Sequence, residues 1–203
     1  MYNVNACTEP KEVWMKVSRE EAARNRERIL DAASQLFRER GFDGIGVADV
    51  MKSVGLTHGG FYGHFSSKED LIAQACARAL AHSLQAWANG AETSPRNPML
   101  PLARGYLSGR HRDAPGTGCL MAALGSDAAR QGPAVRHTVT KGLRRAFDLL
   151  AGLMPNSSGK GRRQAAISRY ASWIGAMIMA RAVDDRALSQ EILDAVLASS
   201  SRS

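Results

Sequence analysis

Apolar positions recur at helical spacing along the chain, and nowhere do they alternate as a half-buried strand would. Ser18-x-x-Glu21 has the form of a capping box, in which the serine side chain takes an orphan backbone N–H and the glutamate reaches back. The helix it opens carries Ile29, Ala32, Ala33, Leu36 and Phe37 on one face and stops at Gly41, a residue suited to the position just past a helix end. After Gly44-Ile45-Gly46 a short helix lines up Val47, Val50, Met51 and Val54, and Gly55 ends it. Leu56 follows, then Thr57 as the N-cap of a second short helix reaching His64. Phe65-Ser66-Ser67 breaks the pattern. Ser66 or Ser67 then caps a long helix whose inner face is Leu71, Ile72, Ala75, Ala79 and Leu80, running toward Trp87.

Thr93-Ser94-Pro95-Arg96-Asn97-Pro98 reads as a linker. Beyond it the pattern predicts helices over roughly 98–109, 117–130, 133–154, 161–182 and 188–199. The breaks fall at Ala114-Pro115-Gly116, Gly132-Pro133, Pro155-Asn156-Ser157-Ser158-Gly159 and Val183-Asp184-Asp185. Pro133 stands where a proline belongs, in a first helical turn. The fold class predicted is all-α. A three-helix helix-turn-helix domain occupies residues 18–66, and a larger helical domain for ligand binding and dimerisation occupies 67–203. Residues 1–17 read as a disordered or extended arm. The stretch 1–14 is either such an arm or a mis-assigned start, because Met15-Lys16-Val17-Ser18 makes a natural beginning.

Composition narrows the picture. Hydrophobic residues are 44% of the 203 and charged ones 23%, the balance of a globular chain with a real core. The formal net charge of +8 favours an anionic partner, nucleic acid or an acidic membrane surface. The longest apolar run, Trp173–Ala180, is too short to span a bilayer and reads as a buried helix. No signal-peptide core opens the chain, so the expectation is a cytoplasmic protein without membrane attachment. Cys7, Cys76 and Cys119 are odd in number and far apart, with no zinc-ligand spacing, so no metal is expected. There is no G-x-S-x-G elbow, no Cys-His constellation and no phosphate-loop glycine pattern; Asp184-Asp185 sit in a turn. The reading is therefore of no enzyme, no catalytic residues and no cofactor.

The informative stretch is Val47–Lys68, two short helices joined by a tight turn at Gly55-Leu56. In a DNA-binding helix-turn-helix the second of these enters the major groove and the first crosses the backbone. Val50, Val54, Leu56, Phe61 and Phe65 are spaced to lock both against the Ile29–Phe37 face. The outer face is then Thr57, His58, Gly59, Gly60, Tyr62, Gly63 and His64. Glycines cost up to about 1 kcal/mol each against alanine in a helix, and they make sense where backbone must press close to another surface. Tyr62, His64 and Lys68 flank that surface with donors suited to phosphate oxygens, and Lys68 lies in the first turn of the next helix. The plainer reading makes Phe61 and Phe65 core aromatics. Because Phe61 takes the inward place, Tyr62 points out.

The segment from Gly41-Phe42-Asp43-Gly44 through Phe61-Tyr62-Gly63-His64-Phe65-Ser66-Ser67-Lys68 closely resembles the N-terminal domain of TetR-family regulators, over about 50 residues from Arg24 to Ala75. The resemblance implies that Thr57 caps the recognition helix and touches a phosphate. It implies that His58, Gly59, Gly60 and Gly63 face base edges, and that Tyr62, His64 and Lys68 grip the backbone. One departure is Gly46, followed by Val47, at the start of the first motif helix, where the family often has a Thr or Ser cap. Glycine there costs a few tenths of a kcal/mol, roughly, and removes one hydroxyl contact to phosphate. With glycines on the reading face, His58 is the main direct reader, and DNA shape carries more of the readout.

For the remainder the resemblance implies a small-molecule effector pocket and a homodimer through the last two long helices. Ile167, Tyr170, Ala171, Ile174, Met177, Ile178 and Ala182 cover a wide part of one helix, and small Ala171, Ser172, Gly175 and Ala176 allow close approach. Ile192, Leu193, Val196 and Leu197 form a stripe on the last helix. Either stripe also suits internal packing. Pocket candidates are Trp87, Tyr106, Cys119, Met121, Phe147, Met154, Trp173 and Met177; residues of this kind are more often plain core. The Gly118-Cys119-Leu120 segment resembles that of relatives that sense oxidants or electrophiles through such a cysteine. A cysteine at a helix N-terminus favours thiolate, whereas the alternative makes Cys119 a small buried hydrophobe. Cys76 reads as structural. The cluster Arg136, His137, Lys141, Arg144 and Arg145 reads as a solvated helix face or an extension of DNA contact, and Arg162 and Arg163 likewise. The partners expected are thus double-stranded operator DNA, a second copy of the chain and an effector. A non-specific DNA binder stands as the alternative, and it would not need the large C-terminal part.

Overall fold

A computed structural model describes residues 18–154 and 159–201. The arm with Cys7 and the break at 155–158 lie outside the described residues. The described chain is helical throughout: α1 (Arg19–Arg40), α2 (Val47–Ser53), a 3-10 helix (His58–Gly63), α3 (Lys68–Glu92), α4 (Met99–Tyr106), α5 (Gly109–Asp113), a 3-10 turn (Pro115–Thr117), α6 (Leu120–Ala129), α7 (Pro133–Leu153), α8 (Gly159–Ala182) and α9 (Arg186–Ser201). Among the described residues no helix is long and apolar enough to cross a membrane.

The helix starts follow local chemistry. Ser18 Oγ accepts the Glu21 N–H at 3.1 Å and opens α1. Ser67, rather than Ser66, caps α3 by accepting the Asp70 N–H at 3.0 Å, while the Asp70 carboxylate accepts from the Ser66 N–H at 3.0 Å. Gly46 has no side chain to cap α2. Asp49 reaches back instead and accepts the Gly46 N–H at 3.0 Å, half of a capping box.

Three expectations need correction. The second motif helix is 3-10, not α, over His58–Gly63. Three glycines in six residues leave too little propensity to sustain an α-helix, and the tighter, shorter form is what survives. The single helix expected over 98–109 is split into α4 and α5. Ser108 donates to the Gly105 carbonyl at 2.9 Å and accepts the His111 N–H at 3.2 Å, so its hydroxyl ends one helix and starts the next. The helix expected over 117–130 begins only at Leu120, because the 3-10 turn Pro115–Thr117 and the extended Gly118 precede it.

Buried side chains form two clusters. The first joins Ile29, Ala33 and Phe37 of α1 to Val50, Met51, Phe61 and Phe65, and closes on Leu71, Ile72 and Ala75 of α3. It continues into Leu120 and Leu124 of α6 and Val135 and Val139 of α7. Burying each of the three phenylalanines stabilises the fold by about 1.5–3 kcal/mol. The second cluster gathers Trp87, Leu102, Tyr106, Ala146, Leu150, Tyr170, Trp173, Met177 and Leu193. The α3 helix belongs to both, and α7 lies along it so closely that a β-carbon at Gly142 would stand 2.3 Å from Leu80 Cδ1. Cys76 is buried in the first cluster, which pushes its thiol up to about 12, so it stays an inert thiol.

Trp173–Ala180 is not buried all round. Trp173, Ala176, Met177 and Ala180 face inward, whereas Ile178 is 45% exposed and Met179 51%. The stripe on α9 packs within its own chain: Leu193 is fully buried, with Ile192, Val196 and Leu197 against the same cluster.

Candidate nucleic-acid interface and effector cavity

The helix-turn-helix is held in shape from behind. Gly55 has φ +72°, a left-handed value that favours glycine, and its N–H donates to the Lys52 carbonyl at 3.0 Å. Leu56 N–H donates to the Met51 carbonyl at 2.9 Å, and Arg28 of α1 donates to the Val54 carbonyl at 2.7 Å, so the end of α2 is tied back to α1. Phe61 and Phe65 stack at 5.6 Å in the core, and Tyr62 stands edge-on to Phe61 at 5.2 Å with 69% of its surface exposed. Thr57, His58, Gly59, Gly60 and Gly63 are all exposed beside it; His64, Lys68 and Val47 are half-buried, and Gly46 is exposed. The Thr57 hydroxyl makes no cap hydrogen bond.

The glycines of this surface are not required by the chain itself. A β-carbon at Gly59 or Gly63 would meet nothing within 4 Å, and neither residue has positive φ. Internal packing and backbone conformation thus leave their smallness unexplained, at a cost in helix propensity.

A second concave feature lies at the junction of α3, α4, α5 and the segment leading into α6. It is a cavity of about 470 Å³, within the range of small-molecule sites. Of the pocket candidates, Trp87, Tyr106 and Cys119 line it. Trp173 and Met177 are fully buried behind it, with Trp173 Nε1 donating to Ser200 Oγ at 3.0 Å. Phe147 lies half-buried under the Arg163 guanidinium, Met121 bridges the two apolar clusters, and Met154 is buried in the second; none of these lines the cavity. The sequence pattern alone did not single out His82 and Ser83, which line it from α3. Their signal was present: Ser83, Trp87 and Gly90 recur at helical spacing on one face.

The cavity wall is organised by His111. Its Nδ1 lies 2.7 Å from the Tyr106 carbonyl and must donate, while Nε2 accepts the Cys119 N–H at 2.9 Å. That fixes a neutral imidazole, and burial lowers its pKa below the ordinary 6.5. Gly118 makes room for it: a β-carbon there would stand 2.6 Å from His111 Nε2. Arg181 of α8 donates to the His111 carbonyl at 2.7 Å and the Arg112 carbonyl at 3.1 Å. Cys119 Sγ sits 3.2 Å from the Tyr170 hydroxyl, at the N-cap of α6.

The wall also touches the DNA-facing end of the chain. Arg38 of α1 donates Nε to the Gly116 carbonyl at 2.8 Å and Nη1 to Ser34 Oγ at 2.8 Å. Gly116 is buried, and a β-carbon there would stand 2.2 Å from Glu39 Oε1.

The His111 geometry has a pH consequence. With the folded pKa below the unfolded one, the unfolded chain takes up the proton first, so the stability held by neutral His111 is full above about pH 6.5 and is lost as pH falls below it. Thermal melts between pH 7.5 and 5 should show the advantage of the parent chain over His111→Gln shrinking toward acid; a constant or growing advantage contradicts the neutral lock.

Residues 29–75 match the family of bacterial regulatory proteins of the tetR type. The repressor NemR of Escherichia coli K12 is 27% identical over 167 residues, 77% of this chain and 83% of that one. The crystal structure of the reduced form of E. coli NemR superposes with a TM-score of 0.74 at 25% identity, covering 87% of this chain and 95% of that one. A TetR-family regulator from Agrobacterium tumefaciens shares the fold, with a TM-score of 0.72 at 24% identity over 88% of this chain and 98% of its own. Residues 29–75 thus carry the helix-turn-helix of the tetR family of bacterial regulatory proteins, and the helical body around them has the fold of solved TetR-family regulators.

Proposed function

We propose that the protein is a homodimeric repressor that binds a near-palindromic DNA operator through residues 18–66 and is released when an effector enters the cavity of residues 67–203. The observation that carries the DNA reading is the glycine surface: Gly59 and Gly63 answer no need of the free chain, and a duplex pressed against the 3-10 helix supplies one. On this reading Gly60 and His58 share the groove face with them, Thr57 and Tyr62 meet phosphates from one side, His64 and Lys68 from the other, and Gly46 and Val47 bring the first turn of α2 to the backbone.

Two-fold symmetry is supported by the outward face of α8 and α9. Apart from Tyr62, the large exposed hydrophobic side chains among the described residues are Ile167, Ile178 and Met179 of α8 and Leu188 of α9. A second copy of the same face covers them and sets the two reading elements about 34 Å apart, in successive major grooves. Effector binding changes DNA affinity only as far as it binds the two conformations differently. The Arg38–Gly116 contact gives it a route, because the cavity wall and α1 share one buried carbonyl.

A second reading is favoured by the place of Cys119 on the cavity wall and by similarity to a protein whose crystal structure is of a reduced form. Here peroxide transfers one oxygen to the Cys119 sulfur, leaving water, and the sulfenic acid takes the role of the effector.

The first test is a fluorescence-anisotropy titration against the gene's own upstream DNA, with scrambled DNA as control. Tight binding to a palindromic footprint is expected. Tyr62→Phe and Lys68→Ala should weaken all sequences alike, and Lys68→Ala should also make the slope of log K against log salt shallower by about 0.9, the share of one neutralised phosphate. Equal, weak binding to both DNAs sinks the operator reading. Ile178→Glu should convert the dimer to a monomer in sedimentation and abolish cooperative binding to the full palindrome; an unchanged mass would place the interface elsewhere. Cys119→Ser should keep DNA affinity and lose release by peroxide; retained release removes the second reading.

A further inference from the structure

We propose that the cavity takes a small organic anion, with an apolar one- or two-ring body against Trp87 and Leu102 and a carboxylate or phenolate oxygen met by Arg110 and the Tyr106 hydroxyl. This rests on the effector reading above and says which chemistry that effector carries.

The first argument is the sign of the lining. The charged side chain among its lining residues is Arg110, the imidazoles of His82 and His111 stand on the same wall, and none of the lining residues is an aspartate or glutamate. Behind the wall stands a further cation. The Arg181 guanidinium is partly buried, donates to two backbone carbonyls, and has no carboxylate in ion-pairing reach among the described residues; its Nη1 is buried without a partner. Asp113 faces it from beyond ion-pairing distance and offsets its charge only in part, and a guanidinium held partly away from water projects positive potential further than an exposed one.

The second argument is an orphan donor. The Tyr106 hydroxyl is buried in a residue only 5% exposed and makes no hydrogen bond of good geometry among the described residues, its nearest polar neighbour being the Cys119 thiol. Buried polar groups are nearly always paired, so such an orphan asks for a reason. Burial pushes the phenol well above its usual range, with the Cys119 thiol beside it adding to the effect, so it keeps its proton and has a donor to offer. Tyr106 lines the cavity, and on this proposal the ligand's acceptor oxygen reaches past the wall surface to its buried hydroxyl.

The third argument is the body of the site. Trp87, Leu102, Ala86 and Pro101 give it an apolar side, and Trp87 is held by an edge-on contact with Tyr170 at 5.0 Å. An aromatic ring fits this surface. A cationic ligand meets only like charge, and a purely apolar one leaves both Tyr106 and Arg110 unanswered. An aromatic anion satisfies all three features at once.

The test is calorimetry of the full chain with 2-naphthoate and its neutral isostere 2-naphthamide. The anion is expected to bind at least about tenfold more tightly. Arg110→Gln, on an exposed side chain, should bring naphthoate down to the level of the amide. Tyr106→Phe should weaken naphthoate about fivefold while changing the melting temperature little, because the hydroxyl it removes makes at most a weak contact with the Cys119 thiol. Equal binding of the two probes, a preference that survives both substitutions, or binding of neither below about 1 mM each overturns the proposal. Failure of the effector reading itself shows elsewhere, in the anisotropy assay, as operator DNA that no compound releases.

Discussion

Where backbone between helix ends is buried, its N–H and C=O groups must find partners, and the rest of this structure is arranged around one such broken stretch, residues 106–119. The Gly116 carbonyl takes the Arg38 guanidinium of α1, the His111 and Arg112 carbonyls take Arg181 of α8, and the Cys119 N–H and Tyr106 carbonyl are both served by the His111 ring. Without these, several buried polar groups would each cost about 1–3 kcal/mol. Two glycines make the arrangement possible. Gly116 lets α1 approach and Gly118 lets the imidazole lie flat against the backbone, and any side chain at either would collide.

The same stretch joins three parts of the structure. It walls the cavity, it is clamped to the first helix of the DNA-binding unit, and it is anchored on α8, whose opposite face is the exposed apolar one. On the proposed effector reading, a ligand that shifts this wall would act directly on α1 and α8, in addition to the long α3 helix that runs through both apolar clusters. Coupling by shared hydrogen bonds of this kind needs no large movement. One buried carbonyl that must keep its guanidinium carries displacement from wall to helix.

The exposed apolar surface is divided in an orderly way. Tyr62 stands on the glycine face and the other large exposed hydrophobics on α8 and α9. The basic surplus is spread more widely, with Arg136, Lys141, Arg144 and Arg145 exposed along α7, and its sign favours approach to a polyanion such as DNA.

The helices were legible because their determinants are local. Ser18, Ser67, Pro133 and Gly41 act within a turn of themselves, and the spacing of Ile29, Ala33 and Phe37 needs only the helical period to be read. So was the outward placing of Tyr62, which follows from Phe61 turning in. Local reasoning fell short where two local effects competed. Three glycines against one N-cap turned an α-helix into a 3-10 helix, and one serine hydroxyl divided α4 from α5. By itself the sequence determined the all-α class, the helix-turn-helix and its family, all from short-range periodicity and a compact motif. Only the tertiary structure decided that His82 and Arg110 share a cavity with Cys119, that Trp173 and Met177 do not, and that Arg38 and Arg181 close on one loop. These are contacts between residues up to 78 positions apart, and their existence depends on how helices pack, which no local pattern encodes.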